Sequence, residues 1–406
     1  MTLATLIQYV LQVAAARRLP TGDFGAFGSL VALTVVGAVP LFAVQAVTAR
    51  RIAVSRDAGP RTRIGTGIGI GMVDPALRCG CLVAAVAAVM ALPVASFLHL
   101  PLTAALLMAP ALAPLPLVGA ALGSAQGERR HGDFIVLYVA YSLTRLVFVV
   151  AALWALPTTT SAMAGLAVGS LATGALGWWI LHRHGTGATQ VAPSRFGRDV
   201  LFTSLALLSV LVLASTDLLV ARHRLSAADS DLYALGSLAA RAVFWLLQFA
   251  AVAAYADLAS RAPAARRRAT LLSGFALILV LGALGAAVAA VLPARVVTTM
   301  MGPQYAAVVA LLPLFAVLGS ALAAAQYLLM AGVARGRWRG GAVLAVAAAV
   351  EAAALLLMSG PTVARLAAMA TLVTSLAVVV LLVSDLRLLT ARTAAVAGPP
   401  RGLEQW

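Results

Sequence analysis

The sequence predicts an all-α polytopic membrane protein of about twelve transmembrane helices, built as two six-helix repeats of the same orientation. Three observations predict it. Apolar residues make up 62% of the 406-residue chain and charged residues 10%, with a mean hydropathy of +1.00, far from a soluble domain. Twelve segments are apolar over the length a bilayer core demands, about 20 residues per helix. Finally, Ala26-Phe27-Gly28-Ser29-Leu30 returns 208 positions later as Ala234-Leu235-Gly236-Ser237-Leu238, and a shared phrase at half the chain length marks a duplicated unit. The flanks agree: Arg17-Arg18-Leu19-Pro20 precedes the first copy, and Arg222-His223-Arg224-Leu225 precedes the second.

The spans run over 1–16, 24–48, 76–98, 102–124, 134–156, 161–181, 200–221, 232–255, 269–293, 304–332, 341–358 and 362–384. The first six make an N-terminal bundle, 1–182, and 183–199 is a cytoplasmic linker. The second bundle is 200–386, followed by a cytoplasmic tail, 387–406. The longest connector, 49–75, has 27 residues, so no segment remains for a sizeable soluble domain. The first span reaches about 24 Å at about 1.5 Å per residue, short of a core of about 30 Å. Either that helix is shortened or the natural chain begins upstream, and the second is the expectation; Met1 opens no signal peptide, because a basic n-region is lacking. Pro110, Pro114 and Pro116 crowd the fourth span and should bend it.

The net charge of +16 comes from 29 Arg with no Lys, and its distribution argues against nucleic-acid binding. With the N-terminus inside, 20 arginines fall in even-numbered connectors and the tail, five in odd-numbered connectors and four within spans. This positive-inside pattern places both termini in the cytoplasm. The absence of Lys excludes a P-loop and Schiff-base catalysis. Abundant Ala and Arg without Lys point to a high-GC genome, hence a bacterial cytoplasmic membrane. Cys79 and Cys81 form a lone pair with too few ligands for a metal, and His182 and His184 sit at a wet helix end. Asp229-Ser230-Asp231 resembles a metal-binding Asp-x-Asp, but Ser226-Ala227-Ala228-Asp229 fits a capping box, and the helix-start reading is preferred. Alternating Gly65, Gly67, Gly69 and Gly71 lack the strand-turn-helix context of a phosphate loop. No metal or other cofactor is expected.

Ionisable groups inside spans are the functional candidates, because each costs about 2.5–3.5 kcal/mol at mid-bilayer. Arg145, Arg241 and Glu351 lie near the middle of spans five, eight and eleven; Asp217 lies only about one turn from the outer end of span seven, close enough for solvent to reach it. At helical spacing, Tyr233, Ser237, Arg241, Phe244, Gln248 and Tyr255 share an arc of about 80° on span eight. Tyr138, Tyr141, Ser142 and Arg145 share about 100° on span five, and Thr5, Gln8 and Gln12 about 60° on span one. Three polar stripes on separate helices read as the lining of a cavity. The competing reading is polar glue between packed helices, with Glu351 neutralising Arg145 or Arg241. Glu351 and Asp217 are the candidates for coupling or charge partnership.

The stretch Ala15-Ala16-Arg17-Arg18-Leu19-Pro20-Thr21-Gly22-Asp23-Phe24-Gly25 resembles the opening motif of polysaccharide-biosynthesis flippases. These are the Wzx-type members of the multidrug/oligosaccharidyl-lipid/polysaccharide (MOP) exporter superfamily. Asp217, Tyr233 with Arg241, and Met301-Gly302-Pro303-Gln304-Tyr305 followed by Leu311-Leu312-Pro313 support it. The resemblance implies a V-shaped bundle pair that carries polyprenyl-diphosphate-linked oligosaccharides to the outer leaflet by alternating access. It implies membrane lipid and polysaccharide-assembly proteins as partners, and no enzymatic activity. Arg241 falls where related lipid II flippases carry a cavity arginine. Those relatives have a longer first helix and further arginines there, where this chain has Thr5, Leu11 and Gln12. A cation-coupled small-molecule exporter on the same fold is the alternative. A membrane glycosyltransferase or ligase is disfavoured by outer connectors of about 4 to 12 residues.

Overall fold

The structure is a computed structural model that describes residues 2–57, 72–184, 193–259, 264–334 and 339–396. Gly65, Gly67, Gly69 and Gly71 and residues 185–192 of the linker lie outside the described residues. Among the described residues the chain is helical and contains no strand.

Helix α1, Thr2–Arg18, stops before Pro20, and Gly22 takes a φ of +91° that only glycine adopts without strain, turning the chain into α2, Asp23–Gly37. The second span is broken at Ala38, because Pro40 is tolerated only in the first turn of the next helix, α3, Val39–Asp57. Helix α4 is Val73–Leu98. The expected bend of the fourth span is two breaks, giving α5, Leu102–Leu106, α6, Met108–Leu112, and α7, Leu115–Gly127. Each break lies just ahead of Pro110 or Pro114, whose missing N–H interrupts the hydrogen-bond ladder.

There follow α8, His131–Ala155, α9, Thr159–His184, α10, Pro193–Arg224, α11, Ala227–Ala259, α12, Ala264–Val291, and α13, Ala294–Met301. A 3₁₀ helix, Pro303–Leu311, leads into α14, Leu312–Ala334; α15 is Arg339–Leu357 and α16 is Val363–Val396. Nine helical stretches among the described residues are long and apolar enough to cross a membrane, each matching a span read from the sequence. Helices α1, α10 and α11 coincide with the other three. Helix α16 continues through Val396, so the segment expected to be a tail from 387 begins as helix. The described residues form an all-helical, multi-pass membrane protein.

Two compact units make up the chain. Unit 1 comprises Met1–Leu211, Leu218–Leu235 and Ala294–Ala306; unit 2 comprises Val212–Asp217, Gly236–Pro293 and Ala307–Trp406. The chain passes from one unit to the other within α10 and α11.

Packing inside each unit depends on small residues, as expected where lipid is as apolar as the side chains. In unit 1, Gly119, Gly123 and Gly127 of α7 lie against α3. A Cβ on Gly119 would sit 2.3 Å from the Leu41 carbonyl oxygen, and one on Gly123 2.5 Å from that of Gln45. In unit 2, a Cβ on Gly282 of α12 would sit 2.4 Å from the Ser320 hydroxyl on α14, and one on Gly319 2.1 Å from the Ala240 carbonyl oxygen. Large apolar side chains such as Leu82, Val89, Leu92 and Val280 point outward, the pattern of a surface solvated by lipid.

Candidate functional site

In unit 1, α8 carries Tyr138, Tyr141, Ser142 and Arg145, and α1, bearing Gln8 and Gln12, packs against it. Arg145 is 7% exposed, although it lies in the middle of a membrane helix. Its Nη1 donates to the Tyr141 hydroxyl at 2.7 Å, and its guanidinium carbon lies 4.7 Å from the centre of that ring. Among the described residues no carboxylate pairs with it. The backbone behind it is fixed by the α8–α9 seam. Thr144 Oγ1 donates to the Gly169 carbonyl at 3.0 Å, and a Cβ on Gly169 would touch the Arg145 backbone at 2.8 Å. Tyr138, Tyr141, Gln8 and Gln12 are half-buried and Ser142 is buried. The side chain of Thr5 lies outside the described residues.

Helix α11 divides the third stripe. Tyr233, in unit 1, is fully buried at 0% exposure, while Ser237 and Arg241 belong to unit 2. Ser237 is buried and Arg241 is half-buried. Gln248 and Tyr255 lie on the same helix, with side chains outside the described residues.

Two carboxylates lie buried in unit 2. Asp217 is not solvated: α10 continues to Arg224, seven residues beyond it, and Asp217 is 4% exposed in unit 2. Glu351 on α15 neutralises neither arginine. It is 1% exposed, its carboxylate oxygens accept no hydrogen bond among the described residues, and the charged group acting on it is Asp217. The two carboxyl groups share one buried neighbourhood of unit 2.

Sequence reasoning missed a polar clasp at one end of the unit 1 helices. The Asp231 carboxylate accepts from the backbone N–H groups of Gly22 at 2.7 Å and Gly25 at 2.6 Å, capping the first turn of α2. Arg222 Nη1 donates to the Gly22 carbonyl at 2.9 Å and Nε to that of Leu98 at 3.1 Å. Arg17 Nε donates to the Met300 carbonyl at 2.7 Å, and Arg18 lies over the Trp154 ring at 3.8 Å. The capping box expected at Ser226 forms in part: Ser226 Oγ accepts from the Asp229 N–H at 3.1 Å and donates to the Asp229 carboxylate at 2.8 Å. Asp231, read from the sequence as part of the same helix start, acts on another helix.

No family model matches the sequence, and no curated protein does either. The fold is similar to that of a multidrug resistance MATE family transporter of the MOP superfamily in an inward-facing conformation. The TM-score is 0.67 at 13% identity, covering 96% of this chain and 94% of that one. The lipid II flippase MurJ in an inward closed conformation aligns with a TM-score of 0.71 at 8% identity, over 98% of this chain and 92% of MurJ. A MOP superfamily transporter from Pyrococcus furiosus, described as having a binding pocket of reversed polarity, gives 0.56 at 13% identity, over 96% and 93%. At these identities the likeness is one of fold.

Proposed function

We propose that this protein is a flippase or exporter that moves a polyprenyl-diphosphate-linked oligosaccharide or polysaccharide precursor across the cytoplasmic membrane by alternating access. The observation that carries the reading is Arg145. A guanidinium 7% exposed within a membrane helix is held by Tyr141 with no carboxylate partner among the described residues, so its charge remains available to an anion. Arg meets phosphate through two parallel hydrogen bonds, which suits it to a diphosphate headgroup. Arg241 offers a second guanidinium in unit 2, and the Tyr and Gln side chains of the stripes suit sugar hydroxyls. The prenyl tail stays in lipid throughout. The lipid II flippase among the similar folds supports an anionic lipid-linked substrate.

The test is translocation in proteoliposomes: Arg145→Ala and Arg241→Ala insert and fold but lose transport. A second reading, a cation-coupled small-molecule exporter, is favoured by the buried Asp217 and Glu351 and by the multidrug transporters of similar fold. That reading predicts efflux of organic cations that survives loss of both arginines. The same carboxylates serve coupling in the flippase reading. An enzymatic reading lacks support, since outer connectors such as 99–101, 156–158 and 225–226 are too short to carry a set of catalytic acids.

A further inference from the structure

Unit 2 holds a cavity of about 370 Å³ away from the arginine stripes, bounded by the end of α14, the start of α15 and the C-terminal part of α16. That volume falls within the range of small-ligand pockets, about 300–1,000 Å³. The three helices meet closely at its edge, since a Cβ on Gly340 would lie 3.3 Å from Leu329 Cδ1 and 3.7 Å from Leu381 Cδ2. The lining has two characters. Leu328 and Leu381 present apolar surface, whereas Arg339, Arg387, Ser384 and Asp385 supply charge and hydrogen-bonding groups. Arg339 and Arg387 are exposed and Asp385 is 6% exposed, so the lining carries two cationic side chains and one acidic one.

We infer that this cavity is a binding site for the phosphate group of a membrane lipid. A soluble anion would need the arginines and not the leucines; an apolar ligand would need the leucines and not the arginines. An amphiphile with a phosphate head uses both, the guanidinium groups pairing with phosphate oxygens and a chain lying along Leu328 and Leu381. The location agrees. The arginine distribution puts these helix ends on the cytoplasmic side, where basic pockets between membrane helices meet anionic headgroups. Two lipids supply this chemistry: a resident phospholipid such as phosphatidylglycerol, and the polyprenyl phosphate portion of a lipid-linked substrate. The site uses none of the residues assigned to transport, so the two readings stand or fall separately.

Native mass spectrometry of the full chain tests it, with phosphatidylglycerol, undecaprenyl phosphate, phosphatidylcholine and inorganic phosphate as probes. The expected result is one retained phosphatidylglycerol or undecaprenyl phosphate, bound at least tenfold more strongly than phosphatidylcholine. Which of the two is retained identifies the source. The double variant Arg339→Gln/Arg387→Gln loses that lipid, the double Lys variant keeps part of it, and Arg295→Gln, which lies in unit 1, keeps all of it. Equal retention by the Gln variant and the native chain overturns the assignment. So does displacement of the lipid by inorganic phosphate, which marks a soluble-anion site, or equal binding of phosphatidylcholine.

Discussion

The Asp231 carboxylate accepts the Gly22 backbone N–H at 2.7 Å across 209 residues, so a residue of the second repeat caps a helix of the first. Its counterpart in the first copy is Asp23, at the same offset of 208 as the shared Ala-x-Gly-Ser-Leu phrase. Duplication produced two aspartates at equivalent positions, and only Asp231 carries the cap. Asp231→Ala leaves two N–H groups at the start of α2 without that acceptor, a loss of about 1–2 kcal/mol on the scale of helix caps. Thermal unfolding in detergent should show a lower Tm for Asp231→Ala and none for Asp229→Ala, whose partners are local.

The same residue predicts a pH signature. Burial pushes the Asp231 carboxyl above its ordinary value of 3.8, opposed by the Gly22 and Gly25 hydrogen bonds and by Arg222, with Asp23 adding to the rise. A raised carboxyl contributes stability that is full below the unfolded value and is lost as pH rises through the folded one. The Tm deficit of Asp231→Ala against the native chain should therefore be smaller at pH 7 and grow as pH falls toward 3.8. A deficit that shrinks on acidification contradicts this balance.

The α3–α7 seam predicts a steric effect. A methyl at Gly119 meets the Leu41 carbonyl oxygen at 2.3 Å, and neither backbone can step aside without moving a helix. Gly119→Ala should cost about 1–3 kcal/mol through overpacking, whereas Gly132→Ala, with open space around it, should be neutral in the same assay.

The buried carboxylates predict a separation of stability from transport. Glu351→Gln removes one of two like charges in an apolar neighbourhood, so the resting protein should melt at the same temperature or higher. Uptake driven by an ion gradient should fall at least tenfold in the same variant. A strongly lowered Tm would show instead that Glu351 is a structural acceptor.

Much of this architecture is legible along the chain. Length and hydropathy place the helices, and Pro40, Pro110 and Pro114 mark where they break. What stays hidden depends on partners distant in sequence. Asp231 looks like part of a helix start because its acceptors lie 206 and 209 residues away. Asp217 looks solvated when only its distance from a helix end is considered, yet neighbours in unit 2 cover it. Gly119, Gly123 and Gly127 were visible as a small residue every four positions, a signal for close helix approach that the search for polar stripes passed over. Arg145 was recognisable, but its Tyr141 partner one turn earlier, not a distant carboxylate, defines its chemistry.

The central claim is that membrane-embedded arginines carry an anionic lipid-linked glycan. The direct measurement is the flipping rate of a fluorescent polyprenyl-diphosphate oligosaccharide in proteoliposomes containing the native chain, Arg145→Ala, Arg241→Ala or Arg145→Lys. The account predicts robust flipping by the native chain, at least a hundredfold loss in each Ala variant at unchanged Tm, and partial recovery with Lys. Flipping by both Ala variants at the native rate would contradict it.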